Sequence, residues 1–378
     1  MGFSQIPELS PLAKISVLTC GPGDELYSSF GHSAFRVHDP TLGIDVIYNY
    51  GVFDTGTKNF YVEFSKGRMY YRLVRQNFQS YLRSYKIENR WVKEQKLNLS
   101  LEEKNNLFQF LENNNLPENQ VYRYDYFHNN CATKIWDVLK ENFKNKLVFD
   151  ETYLEEEFTF RELVHHNIKI NSWGAFGIDL ALGSDIDRKA SPKEHLYLPI
   201  YVLRQLKAAQ LNGIPIVSEE TTLYKAVPKE EKSSFFTSPL FFMLLLSAII
   251  LGITYSDVKR KKRSRWLDFG IFIITGLAGT LLFFLWFMTD HVWTVANYNI
   301  LWAFPLNLIL AFLVLQKSLR LWISYYLLTI LGLLLLTLLL WGFKVQAFSW
   351  VLSPILFALA TRYYYIWLVS QKDKKLRL

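Results

Sequence analysis

The sequence predicts an α+β soluble domain over residues 1–233, followed by an all-α membrane domain of five transmembrane helices over residues 234–378. Three observations carry this reading. Charge is divided unevenly: 14 of the 42 Lys+Arg but only 4 of the 34 Asp+Glu follow residue 233, so the C-terminal part carries +10 and the first 233 residues −2. Five long uncharged runs lie in that basic part. The N-terminal part instead alternates short strand-like runs with helical patterns, punctuated by Gly, Pro, Asn and Asp. A near-neutral N-terminal domain lacks the basic face that nucleic acid requires, so no nucleic-acid partner is expected. Large apolar residues are too abundant for disorder. Two cysteines make neither a disulfide scaffold nor a four-cysteine zinc site.

The first strand signal, ISVLTC, ends at Cys20, which reads as a core residue. A turn-rich stretch, GPGDELYSSF, then leads to GHSAFRV, where Ala34, Phe35 and Val37 read as a strand with His32 at its start. Asp39-Pro40 and Gly43 supply a turn into a second strand, Val46 to Gly51. Met69 to Val74 reads as a third, giving an antiparallel sheet whose edge presents His32. On the second strand Asn49 points away from Tyr48 and Tyr50 by the period of two.

Further on, HNNCATKIWDVL carries apolar Ile135, Val138 and Leu139 at the spacing of one helix face. Asn130 suits the N-cap and places Cys131 in the first turn, where the helix dipole and free N–H groups favour a thiolate. Asp125 supports the preceding turn. A cysteine at a helix start and a histidine at a strand start make the pairing that nucleophilic thiol catalysis requires. Taken alone, Cys131 also reads as a small buried hydrophobe, or as a disulfide partner of Cys20. Asn49 is the candidate third group orienting the imidazole, with a cross-strand or turn hydrogen bond as the alternative.

The membrane spans are expected at about 235–255, 269–289, 297–316, 321–343 and 345–368, each about as long as a helix that crosses the hydrocarbon core. Arg362 is expected to snorkel, and Tyr363, Tyr364, Tyr365 and Trp367 suit an interface belt. Basic residues cluster at Lys259–Arg265, at Lys317 and Arg320, and in the tail at Lys372, Lys374, Lys375 and Arg377. Positive loops stay in the cytoplasm, so the C-terminus is expected inside and the N-terminal domain outside. MGFSQIPELS carries no export signal, so a removed signal peptide is expected ahead of it, with Met1 added by reannotation or cloning.

The order His-first, Cys-later resembles circularly permuted papain-like enzymes of the lecithin retinol acyltransferase type. The longer stretches LTCGPGDELYSSFGHSAFRV, YNYGVFD, YDYFHNNCAT, WGAFGIDLALGSDIDR and TDHVWTVANYNILWAFPLNL resemble the Lnb family of lipoprotein N-acyltransferases over nearly the whole chain. KIW after CAT departs from a more basic stretch and bears on substrate contacts rather than on the thiol. The resemblance implies a periplasmic permuted papain-like domain on the bacterial inner membrane. It implies a phospholipid acyl donor, a diacylglyceryl-cysteine lipoprotein as acceptor, and a thioester on Cys131 with His32 as base. Membrane-anchored cysteine peptidase or cell-wall amidase is the alternative, and a non-catalytic assembly or sensor protein a further one.

Asp290, His291, Trp293, Asn297 and Asn299 lie in an outer loop, where polar groups at a membrane edge are costly unless used. They are candidate substrate contacts, with interfacial anchoring as the plainer role for Trp293. Asp179, Asp185 and Asp187 lack the alternation of a calcium loop, and His165-His166 lack metal-ligand spacing. No metal and no cofactor is expected. HLYLPIYVLRQL, His195 to Leu206, reads as an amphipathic element that lies on the bilayer.

Overall fold

The computed structural model describes residues 6–56, 58–228 and 234–375; Met1, Ser233 at the expected domain boundary and Arg377 lie outside them. The strands are β1 (Lys14–Cys20), β2 (His32–Asp39), β3 (Ile44–Val52), β4 (Tyr70–Asn77), β5 (Val92–Leu97), β6 (Val121–Arg123), β7 (Leu147–Val148), β8 (Gln210–Leu211), β9 (Ile214–Pro215) and β10 (Val217–Tyr224). The helices are α1 (Phe60–Ser65), α2 (Phe78–Ile87), α3 (Leu101–Asn114), α4 (Cys131–Phe143), α5 (Phe160–Asn167), α6 (Trp173–Ala181), α7 (Pro199–Ala208), α8 (Pro239–Arg260), α9 (Arg265–Phe287), α10 (Asn307–Leu313), α11 (Leu321–Gly342) and α12 (Ser353–Lys375). They form two compact units: residues 1–158 with 189–230, and residues 159–188 with 231–378.

The first unit is built on a seven-stranded antiparallel sheet in the order β10-β5-β1-β2-β3-β4-β6. β2 is therefore an interior strand, and His32 stands at its end rather than on a sheet edge. Interior strands explain the unbroken burial of β1 from Ile15 to Cys20. α2 covers one face, with Phe78, Tyr81, Leu82 and Tyr85 against Leu18, Cys20, Ala34 and Ile47. α3 lies on the opposite face, where Tyr48 OH donates to Glu112 and Asn114 donates to Tyr50 OH. α4 packs beside α3 and against β2 and β3. His195, Tyr197, Pro199, Tyr201 and Leu206 are buried, so His195–Leu206 is a core element rather than one lying on a bilayer. Pro199 does not interrupt it but opens α7 at a position whose N–H needs no partner.

Among the described residues the second unit holds four helices long and apolar enough to cross a membrane: Pro239–Arg260, Arg265–Phe287, Leu321–Gly342 and Trp350–Gln371. The expected span 297–316 is not one continuous helix. It comprises a 3-10 turn at Tyr298–Leu301 and the seven-residue α10. Pro305 removes a backbone donor and disfavours helix at Phe304, which breaks the run. This segment lies backbone-close to α9: a Cβ on Gly276 would come 2.2 Å from Leu308 N, and one on Gly279 1.9 Å from Ala303 O. Arg362 does not snorkel. It is fully buried, with Nε on Asp268 at 2.7 Å and NH1 on Asp257 at 2.8 Å. Pairing of this kind is how a charge is tolerated among apolar helices.

Candidate active site

The end of the sheet where β2 begins and β3 finishes assembles the site. Just before β2 the chain turns through Gly31 at φ +82°, and a Cβ there would come 2.8 Å from Cys20 O. Only glycine fits that conformation so close to a neighbouring strand. His32 follows, paired in register with Cys20. Phe35 on β2 pairs with Tyr48 on β3, so by the period of two His32 and Asn49 fall on the face opposite to that pair. His32 Nε2 and Asn49 Oδ1 are 2.6 Å apart. A carbonyl oxygen only accepts, so Nε2 carries the proton and donates, leaving Nδ1 with the lone pair.

Cys131 is the first residue of α4, held there by Asn130. The Asn130 Oδ1 accepts from Ala132 N at 2.8 Å and Thr133 N at 3.0 Å, while Thr133 Oγ1 accepts from Asn130 N at 2.9 Å. Asn130 Nδ2 donates to the Tyr126 and Tyr197 carbonyls, both at 2.8 Å. The side chain is thus a complete cap whose every group is used. Asp125 Oδ1 braces the turn before it, accepting from Phe127 N at 3.0 Å and His128 N at 2.7 Å.

The Cys131 thiol and the His32 imidazole line one cavity, and each shifts the ionisation of the other. Burial is the largest single influence on each and disfavours charge on both. It is outweighed by their mutual attraction. The His32 charge and hydrogen bond, with the backbone N–H groups of Ser33 and Ala132, pull the thiol below its ordinary pKa. The Cys131 charge and hydrogen bond, with Asn49, raise the imidazole above its own. The arrangement therefore favours a thiolate–imidazolium pair. Cys20 is the opposite case: both cysteines are free, and burial pushes the Cys20 thiol up to about 12. No disulfide joins them.

A cavity of about 410 Å³ opens over this pair. Phe30, Phe53, Phe64, Tyr71, Tyr124 and Tyr126 are among its walls, so it is an aromatic chamber that also holds the Cys131 thiol. Three contributors were not read from the sequence. Gly51, at φ +87° in a register shift of β3, gives Cys131 room, since a Cβ there would stand 3.3 Å from the Cys131 Cβ. An isolated glycine in a strand was the available signal. Ser33 N–H was hidden behind its neighbour His32. Arg90 lines the cavity, with Nε on Gly21 O at 2.8 Å, NH1 on Glu88 at 2.9 Å and its guanidinium over Tyr85. A lone arginine in a turn carries no sequence signal.

The outer-loop candidates fall in the second unit and do not line this cavity. Asn297 and Asn299 are buried. Asn297 Nδ2 donates to Leu180 O at 2.8 Å and Ala181 O at 3.0 Å, and Asn299 Nδ2 to Asp179 O at 3.0 Å. They latch onto the carbonyl end of α6, whose last turn lacks helical partners. The Trp293 ring packs tilted against Phe160 with centroids 5.7 Å apart, and its carbonyl accepts from Gly183 N at 2.9 Å. Asp290 is exposed and His291 half-buried. Asp179 and Asp187 both pair with buried Arg161, at 3.0 and 2.8 Å, and His165 Nε2 lies 2.8 Å from Asp179. Among the described residues no group of metal-ligating side chains is assembled.

A capped thiol and an imidazole lining one cavity, in a chain that also carries membrane-length helices, mark a membrane protein with a folded non-spanning domain. Residues 10–166 match the Lnb N-terminal periplasmic domain and residues 229–374 the Lnb transmembrane domain. The chain belongs to the Lnb family, and is an inner-membrane protein with a periplasmic N-terminal domain. Neither the curated proteins nor the solved structures gave a match.

Proposed function

We propose that the protein is a lipoprotein N-acyltransferase with a permuted papain-like catalytic domain. Cys131 is the nucleophile, His32 the acid and base, and Asn49 the group that orients the imidazole. The observation that carries the reading is that Cys131, His32 and Asn49 line one aromatic-walled cavity, with His32 hydrogen-bonded to Asn49. Such a chamber suits an acyl chain better than the polar backbone that a peptidase or amidase must hold.

The thiolate attacks the ester carbonyl of a phospholipid, and the imidazolium protonates the departing glycerol oxygen, releasing a lysophospholipid. Asn130 occupies the Ala132 and Thr133 N–H groups, which leaves the Cys131 N–H as the first-turn donor for the oxyanion. Neutral His32 then takes a proton from the α-amino group of a diacylglyceryl-cysteine lipoprotein as that nitrogen attacks the thioester. The amide forms, the C–S bond breaks, and the thiolate–imidazolium pair returns.

Four long spans alone would return both termini to the same side. The basic loops favour a cytoplasmic C-terminus, and the N-terminal domain is periplasmic. The broken 297–316 segment is therefore the fifth crossing, completed by packing on α9 rather than by its own helix. Of the outer-loop candidates, Asp290, His291 and Trp293 remain candidate contacts for a lipid substrate. The boundary between catalytic and membrane domains falls near residue 233 in sequence, with 159–188 packed in the membrane unit.

Mass spectrometry of a lipoprotein N-terminus, in cells with and without this protein, tests the function. The expected result is an added N-acyl chain only when the protein is present. An unmodified amine in both cases overturns it.

A further inference from the structure

α1 is an unusual helix: its sequence is FYVEFS, yet none of its side chains is buried. Tyr61 is 71 % exposed, Val62 49 % and Phe64 46 %. Large apolar side chains gathered on a surface mark a contact site. These do not stand alone. Phe53 stacks on Phe60 at 6.0 Å and Phe60 on Phe64 at 6.2 Å, and Phe53 also meets Tyr71 at 5.1 Å. Phe53 and Phe64 both line the Cys131 cavity while remaining largely exposed, so they form its rim. Tyr27, 74 % exposed, also lines the cavity, with exposed Leu26 beside it. The mouth above the nucleophile is thus an apolar collar.

The surroundings of the collar indicate what covers it. Residues 53–72 contain Lys58, Lys66, Arg68 and Arg72 against only Asp54 and Glu63, and all four cations are exposed. Apolar and aromatic tips flanked by basic side chains are the composition of an element that sits in a membrane interface and meets anionic headgroups. The same chain carries membrane-length helices, which keep a bilayer within reach.

We propose that residues 53–64, with the Leu26–Tyr27 turn, form a collar that inserts into the outer leaflet of the membrane and admits one lipid acyl chain from the bilayer to Cys131. The occupant is an anionic-lipid bilayer surface. The delivery of an acyl chain rests on the acyltransferase reading; the insertion itself does not.

The test uses the full chain with Cys131→Ala, which removes the accessible thiol, and a single nitroxide introduced through Val62→Cys. The protein is reconstituted into vesicles of phosphatidylethanolamine and phosphatidylglycerol. Power saturation compares collisions with oxygen, which partitions into lipid, and with a nickel chelate, which stays in water. The label at position 62 is expected to favour oxygen, whereas one introduced through Glu118→Cys, on an exposed turn, favours nickel. Nickel preference at both positions overturns the proposal. So does shielding of position 62 from both reagents, the result if a second copy or an acceptor polypeptide covers the collar. Tyr61→Cys serves if Val62→Cys does not fold. This readout is independent of acyl transfer, so a failed catalytic reading leaves it interpretable. For delivery, Tyr61→Asp is expected to slow acylation of Cys131 from vesicle phospholipid at least tenfold while its alkylation by iodoacetamide keeps the wild-type rate. Unchanged acylation overturns delivery.

Discussion

His32 Nε2 donates to Asn49 Oδ1 at 2.6 Å across two neighbouring strands, and this one bond decides which imidazole nitrogen faces the thiol. Replacing Asn49 by Ala removes a hydrogen bond to a charged partner, worth about 1.5–3 kcal/mol, or roughly a 10- to 150-fold loss in kcat. KM should change little. Because this bond helps to raise the His32 pKa, the alkaline limb of the rate profile should also move to lower pH in Asn49→Ala. A loss of kcat with an unmoved profile would assign Asn49 a purely structural role.

The pH profile of the wild type follows from the two shifts. The thiol pKa lies below its ordinary 9.0, so the nucleophile is lost only as pH falls through that depressed value. The imidazole pKa lies above its ordinary 6.5, so the acid that protonates the leaving group is lost as pH rises through the raised value. Steady-state rates across pH should give a bell with its plateau between those two limits. An acid limb centred at the ordinary thiol value of 9.0 would contradict the ion pair.

Gly51→Ala tests the space beside the nucleophile. The residue has a left-handed φ, which costs a side chain about 1–2 kcal/mol, and the new Cβ would press on Cys131 at 3.3 Å. A modest fall in Tm should accompany a several-fold slower alkylation of Cys131. Wild-type alkylation with an unchanged Tm would mean that the strand end relaxes freely.

The sheet and the cap were legible because each is encoded locally. The period of two sets His32 and Asn49 on one face, and Asn130 before an apolar stripe sets the start of α4. The misreadings share a cause, which is long-range partnership. Arg362 looked like a snorkelling residue because its partners Asp268 and Asp257 lie 94 and 105 positions away. Hydropathy saw a fifth uncharged run but not that Pro305 breaks it. His195–Leu206 has an apolar face that suits a bilayer or a core equally, and only the fold shows that the core takes it. Asn297 and Asn299 were expected at substrate because polar groups at a membrane edge are costly unless used; the α6 carbonyls use them from over a hundred positions away.

That latch is itself testable. Asn299→Ala takes its side-chain donor from the Asp179 carbonyl, at about 1–3 kcal/mol, while Leu180 O keeps Asn297. Thermal unfolding in detergent should shift to lower temperature while KM for both lipid substrates holds. A raised KM at unchanged stability would return Asn299 to a substrate-binding role.

The central claim is a covalent acyl group on Cys131, and intact-protein mass spectrometry measures it most directly. Wild-type protein incubated with phospholipid and no acceptor should gain the mass of one acyl chain, released by neutral hydroxylamine and mapped to Cys131. Cys20→Ala should behave the same, because that thiol is buried and pushed up to about 12, whereas Cys131→Ala should gain nothing. An acyl chain transferred to lipoprotein at the normal rate by Cys131→Ala would contradict the account.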